Sequence, residues 1–176
     1  LQVAFLGAEP KAGTSANMQL AAWGAFFHPV LRERAGIQKA EFTDFGQWSA
    51  ADLKQISSWD LLAVNLSLTE STWEELFLNQ SMFQNNIIFL IGKYHHSQKR
   101  ELERFSRWYR ISMERICPIP YNQRFQKAYE SGRILSYLKW QQEEFCYENR
   151  VFGQCLKELL MAIGKYGKRK GDIYYG

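Results

Sequence analysis

Lys11, Gly13, Thr14 and Ser15 have the types and spacing for holding an anion. They lie in "GAEPKAGTSANM", directly after the apolar run "LQVAFL". A glycine-bearing turn between a strand and a helix exposes backbone N–H groups to a negative ligand, and the helix dipole adds to the attraction. Set against the phosphate-binding pattern GxxxxGK followed by Ser or Thr, the register is Ala8, Glu9, Pro10, Lys11, Ala12, Gly13, Thr14, Ser15. The second glycine is kept, and so is the hydroxyl that would meet magnesium, at Ser15. The first glycine has become Ala8, and the lysine that would grip the β- and γ-phosphates has become Thr14. Lys11 is a candidate substitute for that cation. A plain strand–turn–helix connection gives the same letters, so the loop alone assigns no site.

The elements that must position this loop follow from apolar patterning. "QVAFLGA", "KAEFTDFG", "DLLAVNLS", "NNIIFLIGKY" and "RICPIPY" read as strands. "LLAV" has no polar alternation, as expected for a strand of a parallel sheet buried on both faces. Between the strands lie helical stretches: residues 15–28, apolar on nearly every face and limited by Pro29; "AADLKQISS"; "TESTWEELFLNQSMF"; and the strongly charged "SQKRELERFSRWYR". "RFQKAYESGRILSYLKWQQ" and "YENRVFGQCLKELLMAIGKY" close the chain as two helices. Five strand–helix alternations predict an α/β fold, a predominantly parallel sheet with helices on both faces. Its central strands are expected to include "QVAFLG", "LLAVNL" and "IIFLIG". The 176 residues suit one domain, taken as 1–164, with 165–176 a basic flexible tail.

Net charge is +4, which permits an acidic partner without demanding one. Cys117, Cys146 and Cys155 are odd in number and show no metal spacing. They read as core thiols in a reducing, cytoplasmic setting. His95 and His96 are adjacent and point apart, a poor metal pair. No apolar run reaches the ~20 residues that span a bilayer. The chain opens on Leu1 rather than Met, which reads as a processed or trimmed start.

"ICPIPYNQRFQKAYESGR" narrows the reading. Together with the first loop it resembles the MinD/ParA family of P-loop ATPases over about residues 2–140. In that family a strand ends in a proline loop, followed by a hydrophobic residue, an alanine and a glycine. Ile119, Pro120, Asn122, Phe125, Ala128 and Gly132 hold those places here. The resemblance implies a P-loop NTPase-like three-layer sandwich, with Pro118–Pro120 near an adenine. It also implies a switch aspartate at Asp44 and a Walker B strand in "DLLAVN", whose second carboxylate is here the neutral Asn65. The family's signature lysine, which bridges two subunits across the nucleotide, is Glu9 in this chain. Its carboxylate is expected to face and repel the phosphates, disfavouring a nucleotide-driven sandwich dimer.

Phosphoryl transfer is mostly positioning and electrostatic stabilisation, so the loss of two cations and one metal-site carboxylate removes its machinery. The resemblance therefore implies a pseudo-ATPase, with no catalytic residue and no resident metal or cofactor beyond weak ATP and magnesium. The loop is either a remnant supporting the fold or a weak nucleotide site (Lys11, Gly13, Thr14, Ser15, Asp44, Asn65, Pro118, Pro120). Family relatives with altered loops act as localisation factors for pilus or secretion machinery, so a protein partner is expected, in an interaction or scaffolding role. The alternative is an active, unorthodox ATPase in partition or positioning on DNA or membrane, rescued by Lys11. Arg100, Arg104 and Arg107 form a basic stripe that could meet a partner or nucleic acid, and the basic tail could meet a membrane surface, making the protein peripheral there. The stripe is more often a solvated helix face, and a terminal helix of this kind usually packs on its own domain.

Overall fold

The computed structural model describes residues 1–47, 58–78, 86–144 and 146–167, without the side chain of Glu75. β1 (Gln2–Gly7), β2 (Glu41–Gln47), β3 (Leu61–Leu66), β4 (Ile87–Tyr94) and β5 (Ile116–Pro120) form one sheet in the order β2-β1-β3-β4-β5. Every pairing is parallel. The three strands expected at the centre are there. Each is buried on both sides, and the period-2 alternation of side chains divides it between two cores. Val3, Phe5, Leu61, Ala63, Ile88 and Leu90 face one core, while Ala4, Leu6, Leu62, Val64, Phe89 and Ile91 face the other.

The helices are α1 (Thr14–Phe27), α2 (Pro29–Ala35), α3 (Glu70–Leu78), α4 (Lys99–Trp108), α5 (Gln123–Glu130), α6 (Ile134–Glu143) and α7 (Tyr147–Tyr166). The first core takes its helical side chains from α1, α2, α5, α6 and α7; the second takes Trp73 and Leu76 of α3 and Leu102 and Phe105 of α4. The result is a three-layer α/β sandwich.

Several local readings change. Pro29 ends α1 as expected, but it also starts α2, because proline suits the first turn of a helix, where its missing N–H is no loss. The expected helix over 124–142 is two helices. The chain breaks at Gly132, which takes the left-handed φ of 67° that a β-carbon disfavours. α1 was expected to be covered on most sides, yet Trp23 and Phe26 are 40% and 62% exposed. The last helix ends at Tyr166, as its sequence pattern predicts; Lys165 and Tyr166, which the domain division also placed in the tail, form its last turn, and both reach Glu114. The helix expected at "AADLKQISS" lies outside the described residues except for Ser58. Among the described residues no helix is long and apolar enough to cross a membrane.

Candidate functional site

In a doubly wound sheet, ligands bind outside the carboxyl ends of the strands, where neighbouring connections leave in opposite directions. Here that point lies between β1 and β3, and the loop 8–13 leaves β1 there. Ala8 extends the pairing, its N–H donating to the Asn65 carbonyl at 2.8 Å. Gly13 then turns the chain into α1 with φ 82°, a left-handed conformation that explains why a glycine is kept. No side chain caps α1. Its first intrahelical bond runs from the Asn17 N–H to the Gly13 carbonyl at 2.9 Å.

A cavity of about 380 Å³ opens over this helix start, within the usual size of ligand sites. Lys11, Gly13, Thr14 and Ser15 all line it, as the sequence grouping expects. So do Gly46 and Gln47 from the end of β2, Lys93 from β4, and Gln126 and Tyr129 from α5. Lys93 escaped the sequence reading. Its place near the carboxyl end of a buried parallel strand was the available signal. Lys11 and Lys93 both hold left-handed backbone, φ 62° and 52°, an uncommon state for residues with a β-carbon. Gly92 lets β4 approach the loop: a β-carbon there would stand 3.0 Å from the Ala12 carbonyl oxygen.

Asp44 joins the site through Ser15. The Ser15 hydroxyl donates to Asp44 Oδ2, and the Gly46 N–H donates to Oδ1 at 2.8 Å. These two residues were singled out separately in the sequence, and the fold makes them direct partners. Asn65 behaves differently. It is 0% exposed and takes no part in the cavity wall. Its Oδ1 accepts from Asn17 Nδ2 at 2.7 Å, while its Nδ2 donates to the carbonyls of Leu6 and Ala63 at 3.1 and 3.2 Å. Asn65 thus ties β3 to β1 and to the first turn of α1. Asn17, a buried polar residue in the first turn of α1, is the partner the sequence reading overlooked.

Glu9 lines the cavity, but its carboxylate is held elsewhere. Oε1 accepts from the Ser67 N–H at 2.7 Å and Oε2 from the Thr72 hydroxyl at 2.9 Å. The expectation that it faces the phosphates is corrected: donors at the start of α3 satisfy both of its oxygens. Thr14, at the missing lysine's position, is 8% exposed and packs over Gly7, where a β-carbon would sit 2.7 Å from its Oγ1. Pro118 and Pro120 lie on the edge strand β5 and do not line the cavity.

The basic stripe is not uniform. Arg100 and Arg107 are exposed, but Arg104 is drawn back. It pairs with Glu70 at 2.8 Å and lies over the Trp108 ring, 5.1 Å from its centroid. Burial pushes the Cys117 and Cys155 thiols up to about 12 and 11, so both stay protonated and unreactive at neutral pH. His95 and His96 start a short turn, in which the His95 ring bonds Ser97.

No protein-family model and no curated protein sequence matches the chain.

Proposed function

We propose that this chain is a catalytically degenerate MinD/ParA-like domain acting as an interaction, localisation or scaffolding protein for a larger assembly of pilus, secretion or partition type. The observation that carries the reading is the fate of Asn65. At the place of the metal-organising carboxylate stands a neutral amide with no exposed surface, its donors and acceptor used inside the fold. The neighbouring positions agree. The bridging-lysine position holds a carboxylate fixed by Ser67 and Thr72, and the phosphate-gripping position holds a half-packed hydroxyl, Thr14. A protein partner is the binding class favoured, at the cytoplasmic face of such an assembly. Arg100 and Arg107 remain open to a partner or nucleic acid; Arg104 is engaged within the fold.

The test is a phosphate-release assay with magnesium–ATP. The expected result is no release above a protein-free blank. Hydrolysis that Lys11→Ala abolishes would overturn the reading. One observation favours the second reading, an unorthodox active ATPase: Ser15 and Asp44, a hydroxyl and a carboxylate suited to magnesium, are in direct contact beside a cavity that Lys11 lines.

A further inference from the structure

α1 is apolar on nearly every face, and a helix of that kind is normally covered all round. One side of it is not. Trp23 and Phe26, with ring centroids 5.9 Å apart, are 40% and 62% exposed near its end, and Val30, at the start of α2, is 67% exposed. Single exposed apolar residues need no explanation, but these three fall within the stretch 23–30 and lead into a groove. The groove lies between α2 and α7 and has a volume of about 380 Å³. Phe27, Val30, Leu31 and Leu156 give it apolar walls, while Arg34 from α2 and Lys157 from α7 supply its charge. His28 also lines it, but its ring bonds Gln142 at 3.2 Å. Among the described residues no carboxylate lines the groove, and neither Arg34 nor Lys157 makes an ion pair.

Those charges decide the occupant. A second copy of the chain, seated on the same face about a twofold axis, would set Arg34 and Lys157 against themselves, and like charges brought together cost affinity. A bilayer suits a helix whose apolar face sinks while its cations stay at headgroup level. Here the two cations stand on the two helical walls of a concavity, among the apolar groups. A ligand that fills it must carry apolar and acidic groups close together. An amphipathic helix does so, because side chains at i, i+3 and i+4 share one face and carboxylates can flank them.

We propose that the groove between α2 and α7, together with the Trp23–Phe26 face that precedes it in the chain, docks an acidic amphipathic helix of a partner protein. This rests on reading the chain as an interaction protein, and it names the surface and the chemistry of that interaction. Apolar side chains of the partner enter between Val30, Leu31 and Leu156, and its carboxylates meet Arg34 and Lys157 from the two walls.

Fluorescence anisotropy at low salt tests this with the full chain and two labelled probes. One is a helical peptide of about 15 residues with leucines on one face and glutamates flanking them; the other has lysines for the glutamates. The glutamate peptide is expected to bind at least about tenfold tighter. Val30→Asp, at an exposed position, should weaken that binding by about tenfold with the melting temperature unchanged. Met113→Asp, at an exposed apolar residue outside the groove, should leave it as it is. Reversing both charges, Arg34→Glu with Lys157→Glu, should make the lysine peptide the tighter binder, which loss of fold cannot do. Absence of binding, equal binding of both peptides, or indifference to Val30→Asp would each overturn the proposal. So would a doubled mass in light scattering, or uptake on phosphatidylglycerol vesicles, that Val30→Asp abolishes: the face would then belong to a second copy or to a membrane. Phosphate release from magnesium–ATP would sink the pseudo-ATPase reading and leave the peptide result standing, while failed peptide binding without release would sink this surface alone.

Discussion

Replacing Asn65 by Asp restores, on paper, the carboxylate of a metal site. The structure says it should instead damage the fold. The substitution exchanges Nδ2 for an oxygen, so the donations to the Leu6 and Ala63 carbonyls at 3.1 and 3.2 Å are lost. Two buried hydrogen bonds are worth about 1 kcal/mol each. An ionised carboxylate among carbonyl oxygens at 0% exposure adds repulsion and desolvation. The total is about 3–5 kcal/mol at neutral pH, the scale of a broken buried pair and a large share of a domain's ~5–15 kcal/mol. The cost also acquires a pH signature. The folded carboxyl is pushed above its unfolded value of about 3.9, so its stability is retained below that pH. It falls by about 1.4 kcal/mol per pH unit above it, until the folded pKa is passed. Urea unfolding of wild type and Asn65→Asp at pH 5 and pH 7.5 measures this, with the deficit expected to widen at the higher pH. A variant as stable as wild type at pH 7.5, with a melting point raised by magnesium, would show that residue 65 faces an open metal site and refute the reasoning.

Gly164→Ala should destabilise by at least ~1–3 kcal/mol in thermal unfolding, since its β-carbon would stand 1.8 Å from the Ala35 carbonyl oxygen, where α7 meets α2. Arg104→Ala should cost under about 1 kcal/mol because its ion pair with Glu70 is partly exposed, whereas Trp73→Ala, 0% exposed in the second core, should cost about 3–5 kcal/mol by the same measurement. A thiol reagent at pH 7.5 should label exposed Cys146 first. Cys117, buried, should be labelled only on unfolding, and partly exposed Cys155 more slowly than Cys146; rapid labelling of Cys117 in native buffer would contradict the packing. Magnesium–ATP should leave the mass measured by light scattering unchanged; an ATP-dependent doubling would restore a nucleotide switch.

What the sequence disclosed depended on how local the signal was. "LLAVNL" and "IIFLIG" announce buried parallel strands because both of their faces are apolar, a property carried by consecutive residues. The grouping of Lys11, Gly13, Thr14 and Ser15 is local too, and the fold keeps it on one cavity wall. Lys93 is about eighty residues from that loop, and only the strand order brings it near. Side-chain direction was equally hidden. Glu9 and Asn65 have the right sequence positions to meet a nucleotide, but one is turned aside by Ser67 and Thr72 and the other is sealed in by Asn17. Such competition among partners distant in sequence leaves no mark on spacing. The break at Gly132 was visible as a glycine, yet the apolar periodicity on either side ran on.

The prolines of β5 limit how the molecule can grow. The Tyr121 N–H donates to the Tyr94 carbonyl at 3.1 Å, so in a period-2 strand Cys117, Ile119 and Tyr121 turn their nitrogens toward β4. Ile116, Pro118 and Pro120 then turn theirs outward, and two of those three have no hydrogen to offer. A strand arriving at this margin would meet carbonyls and almost no donors, so the sheet ends here chemically as well as geometrically. The opposite margin, β2, has no proline between Glu41 and Gln47. Any fibre, swapped pair or sheet-sharing complex built by strand addition would have to extend from that side. Growth by such addition is one-directional, and two copies joined there would stop.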